Sequence, residues 1–359
     1  MEIQKAGDNS QQIQIHNLIV NGIDEKRARE IYAERYDIAK RDFANEALRV
    51  VNERVRELEN RLMPKIMSIH NGLNAFADPS FQFLLLDAQK AAAASERLAD
   101  YDLLSELLAH RVEKGEDRVV RTGIRRAVQI VDEISDAALL GLTVVHSVNS
   151  LMPIALNLDQ ALDILDDLFG KIIYAELPNG TNWIDQLDML DAIRINQFGK
   201  FRTIKEYYTS NFKNFLELGI KKGSEEFLQA EKILIQQGLS GLMVEHSLIS
   251  EYSRINANGI EGLDDLIIVQ VINGERKKIS LTVEQKMAIK PIFELYSKDD
   301  KLQKQIYDSF LTAWDRRPNL LKLRNWWETL PYSFTVTTVG KVLAHANAQR
   351  QSPNVPPLS

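Results

Sequence analysis

The stretch that decides the fold runs over residues 24–63. It opens DEKRAREIYAERYDIAKRDF (24–43) and closes RVVNERVRELENRLM (49–63). Leu48, Val51, Val55, Leu58 and Leu62 recur at steps of three and four, the seam of a heptad. Glu53, Arg54, Arg56, Glu57, Glu59 and Asn60 fill the other side. Ala28, Ile31, Tyr32, Phe43 and Ala47 carry an apolar stripe upstream in poorer register. Asp24 suits the N-cap, and Glu25 is favoured by the helix dipole in the first turn. Pro64 lacks an N–H and is expected to end or kink the helix. A helix this long needs a partner along its length. Two partners fit the pattern: the chain's own body, or a second copy.

Ahead of it lies AGDNSQQIQIHNLIVNG (6–22). Gln12, Ile13, Gln14, Ile15 and His16 alternate polar and apolar, which predicts a short β leader. One strand is not stable alone. It pairs either with strands from other copies or with this chain's own body. Self-association is therefore expected through Ile13, Ile15, Leu48, Val51, Val55, Leu58 and Leu62.

Outward from there the chain reads as mainly α, a multi-helix body with one small β-hairpin. The expected organisation is a leader at 1–23, a long helix or coiled coil at 24–76, and a helical body at 77–220. A helical domain follows at 221–350, then a disordered tail at 351–359. Asp78-Pro79 marks a helix start, and helices are expected over 183–195 and 203–218. LIIVQVI (266–272), Asn273-Gly274 and residues 275–281 predict a hairpin, because Asn-Gly tolerates the positive φ of a tight turn. Thr282 with Gln285 forms a capping box. Residues 332–336 suggest a short strand, with Thr338 capping a last helix. Gly141–Ser150 and Gly241–Ser250 agree at Gly, Leu, Val, His and both Ser positions; duplication and chance both account for this.

The chain has 359 residues, 45% hydrophobic and 26% charged, with a net charge of −6 and no cysteine. That balance is ordinary for a soluble protein and argues against nucleic-acid binding driven by bulk charge. Disulfides and zinc-thiolate sites are excluded. Ala137–Leu158 is the nearest approach to a membrane span, but His146, Asn149 and Pro153 interrupt it, so a buried core helix is expected. The expected setting is the cytoplasm.

No motif specifies a chemistry. His146 and His246 each precede a serine, the one arrangement that suggests a base beside a hydroxyl. Asp185, Asp188 and Asp191 line one side of a helix, where a plain amphipathic pattern explains them as well as a cation does. Arg118, Arg121, Arg125 and Arg126, with Lys114 nearby, form a small basic face. It suits a phosphate, an acidic helix such as the aspartates at 159–167, or solvent. No cofactor and no metal are expected.

GDNSQQ (7–12), GIDEKRAREI (22–31), DPSFQFLLLDAQKAAA (78–93) and TTVGKVLAHANAQR (337–350) together resemble a bacterial family of unassigned function. Similar helical blocks look like parts of abortive-infection and phage-defence proteins, and the resemblance carries no functional residue. The expected function is a non-enzymatic, self-assembling protein, in phage defence, with a phage or host protein as trigger. Two alternatives stand beside it: a hydrolase near His146 or His246, and a membrane-perturbing effector exposing 137–158.

Overall fold

A computed structural model describes residues 25–114, 117–155, 157–272 and 275–358. The predicted leader strand with Ile13 and Ile15, the Asp24 cap and the Asn273-Gly274 turn lie outside these. The chain divides into two units, Met1–Arg54 and Val55–Ser359.

The first unit, where described, is helix throughout, the beginning of α1 (Glu25–Ser68). None of its described residues is buried. Arg29 reaches back to Glu25, and Arg49 bonds both Glu46 and Glu53. Such exposed pairs add little stability.

In the second unit the rest of α1 is followed by α2 (Pro79–Ala94), α3 (Leu98–Glu113), α4 (Arg118–Gln129), α5 (Asp136–Ser150), α6 (Leu158–Ile172) and α7 (Asn182–Met189). Next come β1 (Ile193–Asn196), α8 (Ile204–Asn211), α9 (Lys213–Leu216), β2 (Ile220–Lys221), α10 (Glu225–Gln236), β3 (Met243–Glu245) and β4 (Tyr252–Ile255). The remainder is β5 (Ile267–Ile272), β6 (Glu275–Ser280), α11 (Val283–Glu294), α12 (Asp300–Asp315), α13 (Pro318–Trp327), β7 (Ser333–Val336) and α14 (Thr338–Gln351). The mainly α expectation holds, and the strands form small antiparallel groups: β1-β7, β2-β4-β3 and β5-β6. Among the described residues no helix is long and apolar enough to cross a membrane.

Caps explain most helix starts. Asp78 accepts from Ser80 N with Pro79 following, and Asp117 accepts from Val119 N and Val120 N. The Thr282–Gln285 capping box is present in both directions. β5 and β6 pair in the predicted register, from Ile267 opposite Ser280 to Ile272 opposite Glu275.

Two cores hold this unit. The smaller is built from residues such as Ile220, Leu234, Leu242, Ile255, Ile289 and Ile292. The larger centres on α5 and α14. On α5 every residue from Ala138 to Val148 is buried; on α14 so is every residue from Val342 to Ala348. α12, α13 and α14 all contribute to this larger core, so the stretch 221–350 is shared between the two.

Five expectations change. Pro64 does not end α1, the first of the two outcomes expected of it, but lies inside the helix. The helix expected over 183–195 stops at Met189, because Asp191 takes a left-handed φ of 59°. The chain then enters β1, where Ile193 pairs opposite Val336. The helix expected over 203–218 breaks at Phe212 into α8 and α9. The cap of α14 is Thr337, whose side chain accepts from Gly340 N, not Thr338. The tail is packed: Val355 is 4% exposed, and Gln349 Nε2 donates to the Val355 and Pro356 carbonyls at 3.3 Å.

Gly141 and Gly241 mark segments of different structure. The first lies within α5; the second lies in a 3-10 turn before β3. Similar residues here do not make similar hairpins.

Gly340 marks the tightest approach of α14 to its neighbours. A Cβ there would meet the Ala192 carbonyl oxygen at 2.0 Å. Gly340→Ala is therefore expected to cost about 1–3 kcal/mol through forced backbone movement. A thermal melt checks this, and an unchanged midpoint would contradict the packing.

Candidate functional site

The long helix places the predicted self-association residues in two environments. Leu58 and Leu62 are 1% and 3% exposed, packed into the second unit's own core with Ile66. Both are thereby withdrawn from contact with a second copy. Val55 is half-buried, and Leu48 and Val51 are exposed. Upstream, Tyr32 is 74%, Tyr36 59% and Phe43 75% exposed. Their spacing of four and seven, continued by Ala47 and Val51, keeps them on one side of the helix. The Tyr32 and Tyr36 rings stack with centroids 6.5 Å apart. Tyr36 was not among the stripe residues read from the sequence; its spacing from Tyr32 was the available signal.

The histidines resolve into separate clusters. His146 of α5 lies with Nε2 3.4 Å from His345 Nδ1 of α14, and with Nδ1 3.3 Å from Ser150 Oγ. His345 Nε2 lies 2.8 Å from the Pro356 carbonyl. A carbonyl only accepts, so His345 Nε2 donates and its Nδ1 accepts. His146 Nε2 then donates, and its Nδ1 accepts from Ser150. The chain Ser150, His146, His345, Pro356 is thus fully assigned with both rings neutral. His110 Nε2 in turn donates to Gln349 Oε1. Burial, with His345 and Lys341 adding repulsion, pushes the His146 imidazole down to about 4. Burial also lowers His345. His110 and His345 were missed from sequence, although the small residues of AHANA around His345 indicate a closely packed helix face.

His246 belongs to another cluster. Its Nδ1 accepts from Leu248 N at 3.1 Å, and Nε2 is buried with no hydrogen-bond partner. Burial, with the Arg254 charge adding to it, pushes His246 down to about 4. Arg254 is itself 1% exposed, 5.6 Å over the Phe215 ring. Burial lowers its guanidinium to about 10.

The carboxylates serve the scaffold. Arg317 bonds Asp159 and Asp163, while Asp166 accepts from Asn319 N and Leu320 N at the start of α13. Asp159 and Asp163 remain exposed while they brace Arg317, and Asp166 is part-buried at the joint with α13. Asp191 pairs with Arg194. Among the described residues no group of three or more His, Asp or Glu is placed to hold a metal ion. Trp326 and Trp327 are core, donating to the Pro178 and Arg202 carbonyls.

Lowered imidazoles fix a direction for pH dependence. Unfolded, each returns to 6.5 and binds a proton that the folded chain refuses down to about 4. Stability is therefore full above about pH 6.5 and falls as pH drops toward 4, by on the order of 3 kcal/mol for each such histidine. His146→Gln keeps one donor and one acceptor. The double variant His146→Gln, His246→Gln is expected to fold and to lose less melting temperature between pH 7 and 5 than the wild type. An equal loss would show that these rings do not titrate on unfolding.

A family model matches residues 22–359, nearly the whole chain, and its description names no activity. No curated protein and no solved structure matches the chain. On that coverage the chain belongs to the matched family, an uncharacterised one.

Proposed function

We propose that the protein is a non-enzymatic, self-assembling protein that acts through protein–protein contacts of its N-terminal helix. The observation that carries this is the exposed stripe of Tyr32, Tyr36 and Phe43, continued by Val51. Large aromatic side chains on one side of a charged helix are costly in water and favourable in an interface. A helix of residues 25–54 extends about 45 Å, long enough for several turns of helix-to-helix packing.

The occupant that fits is a second copy. Charges of both signs flank the stripe in near-even mixture, with Arg35, Lys40 and Arg41 among Glu34, Asp37 and Asp42. Such a surface pairs with itself better than with a uniformly acidic or basic partner. The assembly residues on that side are accordingly Tyr32, Tyr36, Phe43 and Val51, with Leu48 exposed on another side, while Leu58 and Leu62 keep the helix attached to its own core. Set against the hydrolase alternative, the second partner of His146 beside Ser150 is the neutral His345 ring and not an orienting carboxylate.

The cellular setting in this reading is defence against phage, with a phage or host protein as trigger. It rests on the likeness of the helical blocks to abortive-infection proteins. A plaque assay tests it: protection by the wild type supports the setting, and no protection from any phage tested removes it.

The assembly reading has its own test. Tyr36→Glu with Phe43→Glu is expected to reduce the wild-type mass to that of one chain in light scattering, with helical content by circular dichroism unchanged. Leu58→Asp is expected instead to lower the melting temperature, because it places a charge in the core. A wild type that is monomeric at micromolar concentration would overturn the reading.

A further inference from the structure

α4 carries Arg118, Arg121, Thr122 and Arg125 along one side, while Gly123, Ile124, Ala127 and Val128 on the other are buried. With Arg111 of α3 and with Ser80 and Phe83 of α2, they line a concavity of about 360 Å³. That size lies within the range of small-molecule sites.

Arg111 is the built part of it. It is 9% exposed, and its Nη2 donates to Asp78 Oδ2 at 2.9 Å and to Ser80 Oγ at 2.8 Å. The same Asp78 caps α2, so the guanidinium is fixed beside that helix's N-terminal turn. Arg125 lies 3.5 Å from Asp87. Arg118 and Arg121 have no carboxylate partner among the described residues. Among the described residues two of the four guanidinium groups thus have a carboxylate partner and two do not, in a chain whose net charge is −6. Such crowding is unfavourable until an anion enters, and the planar fork of arginine matches phosphate oxygens two at a time. The aspartates at 159–167 do not supply that anion, since Asp159, Asp163 and Asp166 are held by α13 and the residue before it.

The edge of the concavity adds a second requirement. Phe83 is 66% exposed there, a flat apolar face beside the arginines. Inorganic phosphate would leave it unused; a heterocyclic base stacks on it.

We propose that this concavity binds a free nucleotide, its phosphate held by Arg118 and Arg121 with Arg111 and Arg125 behind them, and its base against Phe83. The site is independent of the assembly face. Titration calorimetry of the full chain tests it with six probes: pyrophosphate, adenosine and guanosine diphosphates, the two nucleosides, and a short single-stranded RNA. Binding is expected for at least one diphosphate and none for the nucleosides. Arg118→Gln with Arg121→Gln, both surface changes, is expected to weaken it by about tenfold or more. Phe83→Ala is expected to weaken the nucleotide by about fivefold or more and to leave pyrophosphate unchanged. Arg126→Gln, on the same helix but outside the concavity, is expected to change nothing. The proposal is overturned if neither diphosphate binds at millimolar concentration. It is equally overturned if Arg126→Gln weakens binding as much as the double variant, or if RNA binds while no mononucleotide does.

Discussion

The last helix of the chain lies at the centre of the larger core, and most of the second unit depends on seating it. Backbone and side chains from Gly340 to Ala348 must come close to α3, α4 and α5 without leaving a polar group stranded. Small residues provide the approach: Gly340, Ala344, Ala346 and Ala348 are all buried. One polar link fixes the register: Asn347 Nδ2 donates to Thr143 Oγ1 at 2.9 Å, and Thr143 Oγ1 donates to the Leu139 carbonyl at 2.6 Å. Asn347 Oδ1 accepts from Arg350. A neutral pair at this depth contributes modestly when made, but costs about 1–3 kcal/mol when half of it is lost. The arrangement therefore specifies one seating of α14 against α5 more than it adds stability. It also makes the core non-local, since residues near 143 close only when residues near 347 arrive.

Much of this architecture was legible because it is written in local chemistry. Asp78-Pro79, Thr282 with Gln285, and the β runs either side of Asn273-Gly274 each act within a few residues, and the pairing of β5 with β6 followed. What was not legible depends on partners far along the chain. β1 was read as helix because Leu187, Leu190 and Ile193 fit a helical period; it becomes a strand because Asp191 turns left-handed and β7 supplies the pairing. The C-terminal residues were read as disordered from their prolines, yet His345 and Gln349 bond their carbonyls. The bond from Asp166 of α6 to the start of α13 was not legible either, because the two lie about 150 residues apart. Of the candidate sites, sequence located the helix stripe and the arginines of α4. It missed Arg111, which joins the α4 arginines from α3, and His345, which meets His146 from α14.

The polar groups of this protein sort by whether they are already satisfied. Inside, Ser150, His146 and His345 form a closed relay with no spare acceptor, and the carboxylates of α6 cap and brace α13. Exceptions inside include His246 Nε2 and Arg254 Nε, buried without a hydrogen-bond partner; at the surface, among the described residues, the aromatic side of the N-terminal helix lacks an apolar cover, and Arg118 and Arg121 lack a carboxylate partner. These are two different deficits. Water tolerates exposed arginines far better than exposed aromatics, so the aromatic stripe makes the stronger demand for a partner.

Absence of cysteine from the sequence allows a direct measurement of the assembly. A single cysteine introduced for Lys40 and spin-labelled places one probe beside the stripe on each copy. Double electron–electron resonance then reads the distance between copies. If the helices pair along residues 32–51, the distance distribution is narrow and short, within a few helix diameters of about 10 Å. A trace showing only the background of randomly dispersed molecules would contradict the account at its centre.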